Sequence, residues 1–372
     1  MSDALFFYGP LCHAPLRAEV LGLGHSVAEA RLTGYRLGRL PGSRQPAIVP
    51  GSGEVPGLLV DGIDEKTRAR ADFFAGVLGY VGTPVKARTG RLGGVAARAY
   101  LPAGDPPDLD GPWDLAAWSE ALGPVWVAAA REAMTDAGRV SAAQMAGRWP
   151  TMCMRAATRL RAARDSGTEV RTDFTATRDI EIIKERRPYT EYFSLEDPDL
   201  RFRRFDGGWS NPVRRAAFIG GDAVTVLPYD PVLDSVLLVE QFRAGPLMRG
   251  DPRSWSLEPI AGRIDPGESP ENTARREALE EAEIDLGPLH KVADYYPSPG
   301  AVTEFLFSFV AQADLAGQGG KLGGEAGEDE DIRTHVVPFE TLMELIDSGE
   351  AGTGPLILSS YWLALNRVRL WG

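Results

Sequence analysis

The chain has 372 residues, of which 44% are hydrophobic and 25% charged, a balance that suits ordinary globular cores and excludes global disorder; at about 150 residues per domain the length fits roughly two domains. A formal net charge of -12 excludes a general binder of nucleic acid or anionic membrane, because both partners need clustered cations, and makes divalent cations natural company. Cys12 and Cys153 are the only cysteines and have no metal-ligand spacing, no signal-like opening is present, and no run approaches the roughly 20 apolar residues of a spanning helix, so a soluble cytoplasmic protein without disulfides or zinc is expected.

Residues 4–22 read ALFFYGPLCHAPLRAEVLG, an apolar run suited to a strand that enters a Tyr-Gly-x-Leu turn. PGLLVDGID follows at 56–64 and ARADFFAGVLGY at 69–80. Together these segments resemble the γ-glutamylcyclotransferase-like (AIG2-like) proteins, which implies a small β-barrel with helices whose Tyr-Gly-x-Leu loop binds a carboxylate-bearing substrate. Active members of that family carry a glutamate before the glycine of the last segment; here that place is Ala75, before Gly76. Alanine transfers no proton, and Asp72 lies three residues away on a shorter side chain. The expectation is therefore an inactive domain that serves packing and dimerisation, with anion binding at Gly9-Pro10-Leu11 as the alternative.

The prolines and aspartates of LPAGDPPDLDGPWDL at 101–115 indicate a loop. From Leu115 to about Arg164 the text is rich in alanine, with apolar residues recurring at three and four, which predicts helices. Beyond Asp165-Ser166-Gly167 come short strand-like runs, among them AVTVLPYDP, SVLLVEQFR, VADYYPSPG and FLFSFVAQAD. A boundary near 165–180 follows, with domains over 1–170 and 180–372. Residues 317–327, GQGGKLGGEAG, hold too much glycine to pack as strand or helix and are expected to form a mobile loop. The carboxylates Glu328-Asp329-Glu330-Asp331 beyond it, taken alone, read as a solvated acidic turn.

Residues 261–284, AGRIDPGESPENTARREALEEAEI, carry the chemistry. Ser269 can cap a helix, Pro270 suits its first position, and Glu271 meets the positive end of its dipole. Ala274, Ala278 and Ala282 then form a small-residue stripe for packing on a sheet. Glu277 and Glu281 lie one turn apart with Glu280 beside them, so three carboxylates are expected to converge. Hard oxygens at that spacing suit Mg²⁺ or Mn²⁺; the bland alternative is a solvated acidic face partly neutralised by Arg275 and Arg276. The set Gly262, Glu268, Arg276-Glu277 and Glu280-Glu281 resembles the Nudix box, with Glu283 where that pattern has Gly.

This resemblance implies an α+β chain whose C-terminal part is a Nudix α/β/α sandwich with a mixed sheet. It assigns Glu277, Glu280, Glu281 and the Ala261 carbonyl to the metal, and pairs Glu268 with Arg276. Ser298-Pro299-Gly300, with Pro299 fifteen positions after Ile284, resembles the ADP-ribose pyrophosphatase subgroup. So do EYFSLED at 191–197, NPVRRAAF at 211–218, VEQFRAG at 239–245 and EDEDIRTHVV at 328–337. That likeness implies that Arg215, Arg243, Pro299 and Glu304 contact phosphates and ribose, and that an aromatic at 192–193, Phe193 above all, stacks on adenine. By residue type alone, Arg215 and Arg243 read as surface or ion-paired and Phe193 as core. Glu328 matches the catalytic base, with Glu280 and Glu281 as further catalytic carboxylates and Glu330 as another metal ligand. The expected reaction is Mg²⁺-dependent hydrolysis of ADP-ribose to AMP and ribose 5-phosphate by a homodimer. The alternatives are hydrolysis of another nucleoside diphosphate sugar such as GDP-mannose, and a non-catalytic ADP-ribose sensor. The two-domain layout resembles that of Nudix proteins associated with tellurite resistance.

Overall fold

The structure, a computed structural model, describes residues 4–90, 93–163, 169–190, 193–324 and 330–371. Its contacts divide the chain into two compact units, Met1–Gly167 and Thr168–Gly372.

The first unit runs β1 (Leu5–Phe7), α1 (Ala14–Leu21), β2 (Ser26–Arg39), β3 (Pro46–Asp61), α2 (Glu65–Val77), β4 (Tyr80–Arg88), β5 (Gly94–Pro102), α3 (Leu115–Thr135) and α4 (Ala142–Ala162). The strands close a barrel in the order β1-β3-β2-β4-β5, with β1 parallel to β5 at the seam. Phe6, Leu32, Ile48, Val55, Leu59 and Ala99 form one core, and residues of opposite parity on β1 and β3, such as Leu5, Phe7 and Val60, join the helices in a second; this is the period-two alternation of strands. Helix α3 starts where the Asp114 carboxylate accepts from Ala117 N, and α4 starts with a capping box between Ser141 and Gln144. Pro102 ends β5, and residues 105–112 contain no regular element, as their prolines dictate.

The second unit opens with α5 (Ala176–Asp179), β6 (Ile180–Lys184), β7 (Tyr189–Thr190), β8 (Ser194–Glu196), β9 (Asp199–Phe202), β10 (Val213–Arg214) and β11 (Ala217–Ile219). These strands make two small sheets, β10-β9-β6 and β11-β8-β7. Then come β12 (Ala223–Asp230), β13 (Ser235–Phe242), α6 (Ala244–Arg249), β14 (Trp255–Glu258), β15 (Ile260–Arg263), α7 (Pro270–Ala282), β16 (Leu289–Tyr295), β17 (Leu306–Gln312), β18 (Leu322–Gly323), β19 (Ile332–Pro338), α8 (Phe339–Ser348) and α9 (Gly354–Trp371). The large sheet has the order β16-β17-β12-β13-β19-β18, with β14 paired to β13 and β15 to β12; β12 and β17 run parallel. Val224, Val226, Leu237 and Val239 face α7, whose Ala274, Ala278 and Ala282 are buried against them. Leu227, Tyr229, Val236 and Leu238 face the other way, toward α8 and α9. An α/β/α sandwich results, because each central strand is apolar on both faces.

The glycine-rich segment does not behave wholly as the loop expected of it. Leu322–Gly323 form β18 and pair with Ile332 and Arg333 of β19. The reason is room: a Cβ on Gly323 would stand 2.1 Å from the carbonyl oxygen of Glu281, so only glycine lets this strand cross the end of α7. Residues 325–329 of the same segment lie outside the described residues.

Helix α7 ends at Glu283, one of two non-glycine residues with positive φ among the described residues, at 52°. Its N–H donates to Leu279 O and the next N–H, of Ile284, reaches back to Ala278 O. This is the left-handed helix stop that normally selects glycine. A side chain there costs roughly 1 kcal/mol, and Glu283→Gly should therefore raise stability by about that amount, read as a higher urea midpoint at unchanged m-value.

Candidate active site

The loop from β15 into α7 is closed at its far end by Ser269, whose hydroxyl accepts from Asn272 N at 3.2 Å, and Pro270 opens the helix. Glu268 lies in the loop just ahead of the helix. The Thr273 hydroxyl donates to Glu268 Oε2 at 2.8 Å, and Arg276 donates to both carboxylate oxygens at 3.3 and 3.2 Å. Burial pushes this carboxyl up, but those donors outweigh it and hold it below the usual range. Arg276 also donates to Arg263 O at 3.1 Å, which ties the helix to the strand. Arg275 takes no part in neutralising the acidic face: its guanidinium donates to the carbonyls of Leu286 and Gly287.

Glu277 and Glu281 turn inward from α7 toward β15. A Cβ on Gly262 would sit 1.8 Å from Glu277 Oε1, so the missing side chain is what admits this carboxylate against the strand. Glu281 is 2% exposed, and the N–H of Ala261 points at its Oε2 from 3.4 Å. Burial pushes Glu277 up to about 7, with Glu280 and Glu330 adding to the rise against the pull of Arg276. Burial and the neighbouring Glu277 push Glu281 up to about 9. Glu280 departs from expectation. It is exposed, and its Oε2 lies 2.7 Å from Arg276 Nη1, which is also 2.8 Å from Glu277 Oε1. Among the described residues no three acidic side chains, histidines or cysteines gather around one ion-sized point; Glu280 is paired with Arg276.

A second group of charges faces this pair. Arg243 forms a two-pronged bond with Glu258, at 2.9 and 2.7 Å. Burial opposes its charge, yet Glu258 keeps the guanidinium firmly protonated, and Glu281 and Glu330 act on it as well. Glu304 is raised, first by burial and then by Asp222 and Glu258, while Arg263 and Arg243 pull it down. Arg263 lies over the Phe193 ring at 5.5 Å. Phe193 is 43% exposed and so is not a core residue. Asp222, Glu258 and Arg263 were not marked by the sequence: Glu258 meets Arg243 only through the pairing of β14 with the end of β13, where Phe242 lies opposite Trp255.

Two other expected residues, Arg215 and Pro299, are exposed. Arg215 is exposed and donates to Arg214 O at 3.1 Å. Pro299 occupies the second position of an exposed turn in which Ala301 N donates to Ser298 O at 3.0 Å. That turn is joined to β11 by hydrogen bonds between Phe218 N and Ala301 O and between Thr303 N and Phe218 O, and Glu304 follows directly. Tyr192 and Glu328 lie outside the described residues, whereas Glu330 is described and acts electrostatically on Glu277, Glu281 and Arg243.

Residues 221–357 match the NUDIX domain, and residues 5–119 match the γ-glutamyl cyclotransferase, AIG2-like family. The ADP-ribose pyrophosphatase of Escherichia coli strain K12 is 38% identical over 192 residues, covering 52% of this chain and 91% of the relative. The ADP-ribose pyrophosphatase of Haemophilus influenzae is 38% identical over 194 residues, covering 52% and 89%. The GDP-mannose pyrophosphatase of Enterobacter sp. strain 638 is 33% identical over 187 residues, covering 50% and 96%. With that likeness spanning nearly the whole of these relatives, and with the loop and helix built as described, the chain belongs to the Nudix hydrolases and carries an AIG2-like domain ahead of its Nudix domain.

Proposed function

We propose that the Nudix unit hydrolyses the pyrophosphate of ADP-ribose, giving AMP and ribose 5-phosphate. The observation that carries the reaction class is the burial of Glu277 and Glu281 against the Ala261-Gly262 strand. Two carboxyls raised to about 7 and about 9 by that burial are a set of hard oxygen donors with more negative charge than their surroundings balance, which fits a divalent cation. Glu277, Glu280, Glu281, Glu330 and the Ala261 carbonyl would hold Mg²⁺ or Mn²⁺. When bound, the ion neutralises phosphate charge and makes the attacking water more acidic.

The remaining work belongs to the chain. Arg243, aimed by Glu258, meets phosphate with a guanidinium fork. Arg215 and Pro299 complete the phosphate side, Glu304 contacts ribose, and Phe193 stacks on adenine. Arg276, anchored by Glu268, holds Glu277 and Glu280 through ion pairs at 2.8 and 2.7 Å. Glu328 accepts a proton from water as its oxygen bonds to phosphorus and the bond from that phosphorus to the bridging oxygen breaks. The choice of ADP-ribose follows the two relatives of that name and the Ser298-Pro299-Gly300 turn before Glu304.

The reading includes a homodimer, supported by β6, whose Ile180, Ile182 and Ile183 are all exposed, and by Phe202 on the adjoining strand. A second copy covering this apolar sheet removes that surface from water. No helix among the described residues is long and apolar enough to cross a membrane, and a reducing cytoplasm suits the free Cys12 and Cys153.

Purified protein with ADP-ribose and Mg²⁺ should release AMP and ribose 5-phosphate in equal amounts, and chelation of the metal should stop it; a panel in which GDP-mannose is cleaved and ADP-ribose is not would reassign the substrate. Glu268→Gln, which loosens Arg276 without touching a metal donor, should cost roughly 10–100-fold in turnover.

The raised carboxyls also set a pH dependence. Each binds its proton more tightly folded than unfolded, so their contribution to stability is complete below the ordinary value of 4.5 and is lost as pH rises through about 7 and then about 9. Metal-free protein should melt progressively lower between pH 5 and pH 9, by about the range these values define, and Mg²⁺ should flatten the curve. Glu281→Gln should abolish hydrolysis yet melt higher than the native chain at the alkaline end; equal alkaline melting of the two proteins would show that Glu281 is not held in a dry site.

A further inference from the structure

The first unit contains a cavity of about 50 Å³ lined by Phe6, Phe7, Tyr8, Gly9, Pro10, Leu11, Gln45, Pro46, Phe74, Ala75, Leu78, Tyr80, Tyr100 and Trp126. It is several times larger than the roughly 10–15 Å³ that admits one water. None of these fourteen side chains is ionisable in the ordinary pH range, and seven are aromatic. Three tyrosines supply hydroxyls, and all three are spent inside the protein. Tyr8 donates to Tyr100 O at 2.5 Å, Tyr80 to Pro46 O at 2.7 Å, and Tyr100 to Asp72 Oδ1 at 2.8 Å. Burial pushes each of them upward from the usual phenol value, so the wall stays neutral. Asp72, the carboxylate nearest in sequence to Ala75, is turned to Tyr100 and lies 3.9 Å from Arg98; it is not part of the lining.

A cavity of this kind disfavours a charged guest, because no side chain in its wall carries a charge to replace the water a carboxylate or ammonium gives up. It accepts an apolar body, which loses little on leaving water. One polar group stands at its wall. Gln45 is half-buried, and its side-chain amide offers one acceptor and two donors; the hydrogen bonds of this residue run through its backbone, N to Ser43 Oγ and O from Leu40 N.

We propose that this cavity is a binding site for a small uncharged molecule with an aromatic or aliphatic body and a neutral polar tip read by Gln45. The small side chain of Ala75, 5% exposed on the cavity wall, leaves the space that the body fills. The site is therefore a ligand pocket of different chemistry from one that takes an amino-acid carboxylate. It is independent of the Nudix reaction proposed above.

Titrating the full chain with benzamide, benzoate and toluene, followed by ligand-observed NMR, tests the idea. Benzamide should bind saturably and benzoate, its charged isostere, at least tenfold more weakly. Ala75→Leu, which fills the space, should abolish binding of benzamide and toluene alike. Gln45→Leu, at a half-buried position of the wall, should weaken benzamide about tenfold and leave toluene, whose binding reports that the cavity is intact, unchanged. Benzoate binding as tightly as benzamide would overturn the neutral-ligand assignment, and so would benzamide affinity that neither substitution alters.

Discussion

The Nudix unit depends on the cost of keeping like charges together away from water. Glu277 and Glu281 are drawn into the groove between α7 and β15 because the strand beside them has glycine where any other residue would stand in the way. Such burial is unfavourable for an ionised carboxylate. The protein tolerates it by proton uptake and by Arg276, which reaches Glu268, Glu277 and Glu280 at once. In the proposed reaction a divalent cation does the same task with more charge, so that reading puts the chemistry at the point where the fold is least at ease.

The scaffold around this point is arranged to hold it still. Alanines at every fourth position bring α7 close to the sheet, and the short β18 crosses the end of the helix where Gly323 admits it. Arg276 joins the helix to the carbonyl of Arg263, and Glu258 fixes the direction of Arg243. These connections join separate strands to one another or to the helix, so a small displacement of one element is resisted by several others. Glu283 shows the opposite priority. It occupies a left-handed turn at some energetic cost, at the end of α7, where its carboxylate lies 3.8 Å from Lys321.

The first unit follows different physics. Its barrel and helices enclose an aromatic cavity in which every tyrosine hydroxyl is already hydrogen-bonded, and Ala75 contributes no polar atom. The same alanine that removes a proton shuttle also removes the only charge that this wall position could have offered. On our proposal, one small side chain both leaves out a proton-transferring group and leaves room for a neutral guest.

Sequence alone determined much of this. Spacing identified the helix over Pro270–Ala282 and the residues that line its faces, since helical periodicity and capping are local properties. Short apolar, strand-like runs marked the central strands, and the family likenesses supplied both folds. Tertiary structure decided the rest. It turned Glu280 onto Arg276 in place of a three-carboxylate cluster, paired Arg275 with carbonyls, and made a strand of Leu322–Gly323. It joined Arg243 to Glu258 and Arg263 to Phe193, residues far apart along the chain. Most of those outcomes depend on which charges and which backbone atoms the folded chain brings within a few ångströms, distances that a one-dimensional pattern does not hold; the Glu280–Arg276 pair is local to one helix, and there the structure decided only which of the neighbouring charges Glu280 takes.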